Sequence, residues 1–328
     1  MDNVIFLTSD LHEIGYADIE IDFEVGSSLI DNPATNDFEF EAYNVPDDAA
    51  AIYIDGTEFG GIIEYKKQTT EDDSITYQGF TWRGLLSQWV ICPDDGEDYK
   101  IVSGDLNAVI KDVLADVLGG FFNVPDTDYG ISVTNYQFNR YCTVLEGLEK
   151  LVQDNDAKLY IHADKTASGE PIEITVEAAD VDTISGSFDE DTELTLLYTN
   201  DEMGINHLIC LGSGELAERQ RIDLYIDGDG NVSGTQYYTG FDERQEVYDF
   251  SNAESEDDLE SYGKTRLKKL QDTKTMEIKI PDDSGEYEVG DIASGIFPDG
   301  TTISSPITKK VLKITAKTTK ITYEVEGD

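Results

Sequence analysis

Positive charge is scarce in this sequence. Its 328 residues carry 23 Lys plus Arg against 69 Asp plus Glu, a formal net charge of −46. No Lys or Arg occurs among residues 1–65, which hold 16 acids. A surface of this sign repels nucleic-acid phosphate and anionic lipid, so neither specific nucleic-acid binding nor membrane insertion is expected. Cysteine is also rare: Cys92, Cys142 and Cys210 are odd in number and far apart. That excludes a disulfide framework and a CxxC metal or redox motif, and leaves each to be read as a small buried apolar residue. The three histidines, His12, His162 and His207, form no HExxH or His-x-His pair for a metal. No apolar run approaches the roughly 20 residues of a membrane span, and MDNVIFLTSD at the N-terminus has no basic n-region or long apolar core. A chain folded in a reducing cytoplasm is expected.

Strand-forming residues are abundant. Eighteen tyrosines are scattered among Val, Ile and Thr, a composition suited to pleated, half-buried surfaces. ADIEIDFEV (17–25), DFEFEAYNV (37–45), AIYIDG (51–56) and GGIIEYKKQ (60–68) alternate or run apolar between turn residues, and DDSITYQGFTWRGLLSQWVICP (72–93) reads as continuing that pattern. The period then changes. Leu106, Val109, Ile110, Val113, Leu114, Val117 and Leu118 recur at helical spacing, with Asp105 or Ser103 to cap the start and Gly119 and Gly120 to stop it. A second helix is predicted where Thr143 and Glu146 have capping-box spacing, with Val144, Leu145, Leu148, Leu151 and Val152 as its stripe. AKLYIHAD (157–164) and EPIEITVEA (170–178) read as a hairpin. Strands return with ELTLLYTN, INHLICLGSG, RIDLYIDG and GTQYYTG, followed by one helix at about 255–271 and then KTMEIKIP, YEVGDIASG, TKKVLKITAK and KITYEVEG.

The class is therefore α+β, mainly β, in three blocks. A β domain spans 1–100, an α+β insert 101–185, and a second β domain with one helix 186–328. GIIEYKKQTTEDDSITYQG and KKVLKITAKTTKITYEVEG share a strand–turn–strand plan ending in Ile-Thr-Tyr, which allows one β unit to occur twice. Eleven of the 23 basic residues follow Tyr262, so different ends of the chain are expected to meet different neighbours. Solubility or salt tolerance is an equally open reason for the acidity.

YIDGDGNVSG (225–234) has the alternating Asp227, Asp229 and Asn231 of a calcium loop. The position that needs Gly is Val232, however, and the position that needs a bidentate Glu is Tyr238. A tight hairpin turn explains the same residues. Gly228 and Gly230 do not open a dinucleotide fingerprint, because the next glycine is one residue late and a strand follows. LGSGE (211–215) is not a nucleophile elbow, and no P-loop lysine motif exists. His162 and His207 read as hydrogen-bonded strand residues. Acidic runs such as DDGED (94–98) read as solvated loops. No catalytic, cofactor or metal site is expected.

GTEFGGIIEYKKQTTEDDSITYQGFTWRGLLSQWVICP (56–93), DLYIDGDGNVSGTQYYTGFDERQEVYDFS (223–251), YEVGDIASG (287–295) and the closing ITYEVEG resemble, in this order, the phage tail hub (baseplate hub) proteins. That family includes the hub part of tail-associated lysins and siphovirus tail proteins. The resemblance implies a hub fold of two similar β-barrel-like domains per subunit, forming a trimeric ring at the virion tail tip of a phage or prophage. The ring would present an approximately sixfold face to the tail tube or distal tail protein. The tape measure protein and tail fibre or tip proteins would be further neighbours, DNA would pass through the centre, and carboxylates lining the channel would keep DNA from sticking. It also fits turns at Gly84, Gly240 and Gly290, while Trp82 and Trp89 read as core anchors. The resemblance is silent on chemistry; no enzymatic activity is expected because every catalytic motif tested is absent or broken. Lytic activity is not implied, since the closing strand lies just before Asp328. The alternatives from other classes are a carbohydrate-binding β protein using Tyr237, Tyr238 and Trp89, and a cell-wall hydrolase component.

Overall fold

A computed structural model describes residues 3–17, 19–30, 33–68, 74–185, 195–201, 203–253, 255–271, 273–279, 287–296 and 302–325. The chain forms two compact units, residues 1–196 with 277–327, and residues 197–276. Strand is the dominant secondary structure and helices are few, as the composition implies.

The first unit is built on one sheet. Its order runs Thr183–Ser185, Ile292–Ile296, Thr302–Ile314, Glu20–Gly26, Asp37–Ala42, Ile75–Thr81, Gly60–Gln68, Ala51–Tyr53, Val4–Leu7 and Glu13–Ala17, with Thr319–Val325 also pairing with Thr302–Ile314. Alternation sets its faces. Ile21, Phe23, Val25, Phe38 and Phe40 are buried, while the acids between them point the other way. Ring pairs Phe23–Phe38 at 5.5 Å, Phe23–Phe59 at 5.7 Å and Phe40–Tyr77 at 5.0 Å fill the buried side.

A small part of the uneven charge of the sequence is paired inside this sheet. Strand Thr302–Ile314 pairs antiparallel with Glu20–Gly26, which sets Lys313 opposite Asp22. Lys313 Nζ lies 2.7 Å from Asp22 Oδ2, and Lys309 Nζ lies 3.5 Å from Glu24 and 3.6 Å from Glu324. The basic end and the acidic end are each other's neighbours. The expectation that they face different neighbours is corrected to that extent by cross-strand attraction.

Both predicted helices of the insert form. Leu106–Leu118 starts at Asp105, whose carboxylate accepts the N–H groups of Asn107, Tyr129 and Gly130 at 2.8–3.0 Å, and it stops at Gly119 with φ +57°. Burial works against the charge of Asp105, but the three N–H groups outweigh it and hold the carboxyl below its ordinary range. Val144–Gln153 starts at Thr143, which accepts from Glu146 N at 3.1 Å. These helices and the hairpin Ala157–Asp164/Glu173–Asp180 share one core with Leu7, Tyr53, Trp82, Leu86 and Ile91 from the first hundred residues. The outer edge of Glu173–Asp180 is covered: Asn123 N donates to Ile174 O, Val176 N to Asn123 O, and Ala178 N to Asn107 Oδ1, at 2.8–2.9 Å.

Several elements depart from the sequence reading. GTQYYTG is not a strand, since only Val232–Ser233 pair before it. Residues 72–93 are not strand throughout, because Ile75–Thr81 is followed by the helix Trp82–Leu86. Gly84 lies in that helix and not in a turn. A Cβ there would sit 2.1 Å from Asn36 O, so close backbone approach is what requires glycine. Trp82 is fully buried, but Trp89 is 44% exposed and anchors no core. Cys92 is exposed, unlike Cys142 and Cys210.

In the second unit the sheet order is Val232–Ser233, Arg221–Ile226, His207–Leu211, Gln245–Asp249, the last pair parallel. Helix Glu256–Lys268, capped by Ser255, lays Leu259, Gly263 and Leu267 on Leu208, Cys210, Leu224 and Ile226. Gly263 marks the closest approach: a Cβ there would lie 2.6 Å from Cys210 Sγ and 2.8 Å from Leu224 Cδ1.

Candidate functional site

The stretch most like a metal loop is a turn. Asp227 Oδ1 accepts the N–H groups of Asp229 and Asn231, each at 2.9 Å, and Asp227 N donates to Asn231 O at 3.0 Å. Gly230 takes φ +81° and the flanking strands pair as Tyr225↔Ser233 and Ile226↔Val232. An oxygen that already accepts two backbone N–H groups organises the loop itself. Tyr237 packs over this turn, its hydroxyl 2.7 Å from where a Cβ of Gly228 would stand. Among the described residues no group of three His, Cys, Asp or Glu is placed to hold a metal ion. Gly240 (φ +66°) and Gly290 (φ +98°) do occupy turns.

The histidines lie apart in strands and a loop. His162 contacts Asp164 and lies 3.7 Å from Glu177, and His207 is buried between two carboxylates. His12 lies in the loop where its N–H donates to Thr8 Oγ1. None is set beside a serine or cysteine nucleophile in the hydrogen bonds of the described residues. No helix among the described residues is long and apolar enough to cross a membrane.

The most unusual chemistry in the first unit is a buried ion network that sequence reading missed. Arg83 is 2% exposed, and its Nε and Nη2 donate to Glu58 Oε2 at 3.2 and 3.0 Å. Its Nη1 donates to Glu149 Oε1 at 2.9 Å and its Nη2 also to Leu159 O at 3.1 Å. Glu149 Oε2 in turn accepts from Ser28 N and Ser28 Oγ at 2.7 Å. Burial opposes the charge of Arg83, but its two carboxylates prevail and hold the guanidinium above its ordinary value. For Glu149 burial wins, and its carboxyl is raised despite Arg83 and Ser28.

Two lysines extend the network. Lys310 Nζ donates to both oxygens of Glu288 at 3.0 Å and lies 5.1 Å from the ring centre of Phe59. Lys158 pairs with the fully buried Asp291, which also accepts from Asp182 N at 2.9 Å and Glu288 N at 2.7 Å. Arg83, Lys158 and Lys310 thus face four carboxylates, Glu58, Glu149, Glu288 and Asp291. Burial in this acid-rich setting pushes Glu288 up to about 7. Arg83, Glu149 and Lys158 line a cavity of about 450 Å³ together with Leu29, Gly290 and Ile307. These groups clamp together residues far apart in the sequence, an arrangement that holds structure. The signal in sequence was a lone arginine inside the apolar segment TWRGLL.

Exposed apolar side chains mark the outside. In the second unit Leu216 and Phe241 are essentially wholly exposed and Tyr237 largely so. In the first unit Tyr16 and Tyr43 are the most exposed. Such side chains are more often interface anchors than catalytic groups.

No protein-family model and no curated protein matches the sequence. Solved structures do. A tail protein of prophage MuSo2 from Shewanella oneidensis superposes with TM-score 0.50 at 13% identity, over 99% of this chain and 98% of that one. A prophage tail protein from Listeria monocytogenes gives 0.48 at 12% identity (99% and 94%), and a tail protein from Neisseria meningitidis gives 0.47 at 12% identity (100% and 96%). At these identities the likeness is one of fold, and over nearly its whole length this chain shares the fold of a prophage tail protein.

Proposed function

We propose that the protein is a structural component of a phage or prophage tail tip, a baseplate hub without enzymatic activity. The observation that carries this reading is the superposition on a prophage tail protein over nearly the full length of both chains. The clamped ion network and the exposed apolar side chains support it, since both suit a part that bears load and meets partners. In this reading the subunits form a trimeric ring that joins the tail tube or distal tail protein to the tip and passes DNA. The tape measure protein and the tail fibre or tip proteins contact its other faces. The blocks 1–100, 101–185 and 186–328 would be a β domain, an insert and a related β domain. The hairpins Gly60–Gln68/Ile75–Thr81 and Thr302–Ile314/Thr319–Val325 would be the repeated element. The acidic surface lines the channel and repels the DNA backbone. The protein is made in the host cytoplasm and resides in the virion tail.

Light scattering of the purified chain across a range of concentrations tests the core of the proposal. Three chains per particle are expected, with rings visible by electron microscopy. A strict monomer, alone and with co-expressed tail-tube and distal tail proteins, would overturn it.

A further inference from the structure

His207 is enclosed by acids in a way that demands a second proton. It opens strand His207–Leu211, is buried, and stacks on Tyr225 with ring centres 4.3 Å apart. Its Nδ1 lies 2.7 Å from Glu243 Oε1 and its Nε2 lies 2.8 Å from Asp223 Oδ1. An ionised carboxylate only accepts hydrogen bonds, so both ring nitrogens must donate, and only the imidazolium can do this. A neutral ring would turn a lone pair toward one of the two carboxylates.

The two carboxylates are not equally anchored. Asp223 is gripped by Arg221, whose Nε lies 2.8 Å from Oδ2 and whose Nη2 lies 2.7 Å from Oδ1. Among the described residues, Glu243 accepts from the neutral Gln245 amide at 2.8 Å and meets His207. It follows the turn Gly240–Asp242, which displays the fully exposed Phe241. That turn is tied to the sheet by Asn206 Nδ2 donating to Asp242 O at 2.7 Å and Arg244 N donating to Asn206 Oδ1 at 2.9 Å. Among the described residues, the titratable and charged groups facing the ring are Asp223 and Tyr225 on strand Arg221–Ile226, with Arg221 beyond Asp223, and Glu243 on the segment leading into Gln245–Asp249. Both carboxyls lie below their ordinary range: Asp223 chiefly through Arg221 and then, against burial, His207, and Glu243 chiefly through Gln245 and then His207.

We propose that His207 is a proton-operated latch, which when charged holds the Gly240–Glu243 segment to the sheet with Phe241 displayed outward, and when neutral releases Glu243 and loosens that segment on its remaining ties to Asn206. The inference stands apart from the tail reading, since it concerns only the second unit. The test follows amide hydrogen exchange of the full-length protein from about pH 5 to about pH 9, the span over which histidine charge changes, corrected for intrinsic rates. The His207 ring is followed in parallel by NMR. Exchange in residues 240–244 is expected to rise about tenfold or more, as for loss of a charge-assisted hydrogen bond, with a midpoint matching the His207 titration. E243Q, a near-isosteric change at a half-buried side chain that is milder than H207Q, is expected to abolish this pH dependence while His207 still titrates. The proposal falls if exchange in the segment is unchanged while His207 titrates, if the pH dependence persists in E243Q, or if His207 never titrates.

Discussion

Replacing Arg83 by methionine removes a cation that four hydrogen bonds hold in a site 2% exposed, while keeping most of its apolar stem. The change strands Glu58 and Glu149. Glu58 already has one buried oxygen, Oε1, without a partner, and would keep none of its bonds to Arg83. Glu149 would retain only Ser27 and Ser28. Breaking one side of a buried pair costs about 3–5 kcal/mol, because a desolvated charge is left uncompensated. The assay is guanidinium unfolding at neutral pH followed by tryptophan fluorescence, which reports on the first unit because Trp82 and Trp89 both lie there. R83M/E149Q should recover about 1–3 kcal/mol relative to R83M, the range of coupling between contacting residues. Acidification should also narrow the deficit of R83M, as the stranded carboxyls take up protons. A loss below about 1 kcal/mol in R83M, or no recovery in the double variant, would show that the network is solvated and refute the clamp.

Other outcomes follow from particular contacts. The carboxyl of Glu288 is raised from 4.5 to about 7 in the folded state, so its stabilising effect is full below pH 4.5 and is lost as pH rises through about 7. Unfolding midpoints should fall across that window by about 3 kcal/mol in stability and do so less in E288Q. Gly263→Ala should cost about 1–3 kcal/mol by thermal melting through overpacking against Cys210 and Leu224, and should raise the reactivity of Cys210 toward a thiol reagent. Calcium titration should give the same heats for the natural chain and for D227N, since Asp227 serves the turn; a saturable site lost in D227N would reverse that assignment.

Where periodicity runs long, the sequence was readable. Helices Leu106–Leu118 and Val144–Gln153 and strand Gly60–Gln68 announce themselves through caps and spacing. Helix Trp82–Leu86 does not, because five residues span little more than one turn and show no period. Strand Val4–Leu7 is buried on every residue, so it lacks alternation, and Thr183–Ser185 is only three residues long. The parallel pairing of His207–Leu211 with Gln245–Asp249 depends on a crossover that local pattern does not encode. The ion network was hidden for a related reason. Arg83 meets partners 25 and 66 residues away, and its apolar neighbours in TWRGLL indicate a buried charge without naming the acids that meet it. Trp89 and Cys92 show the converse, side chains of buried type left outside.

The pairing of Lys313 with Asp22 joins positions 291 residues apart. A ribosome adding 5–20 residues each second therefore exposes the acidic strand roughly 15–60 s before its lysine-bearing partner exists. During that wait one side of strand Glu20–Gly26 is an open edge, and acidic side chains on an open edge oppose pairing between like strands. Pairing of these strands is thus a timed event: one strand inserts beside another made 291 residues earlier, so this part of the sheet forms only after the intervening sequence has been made.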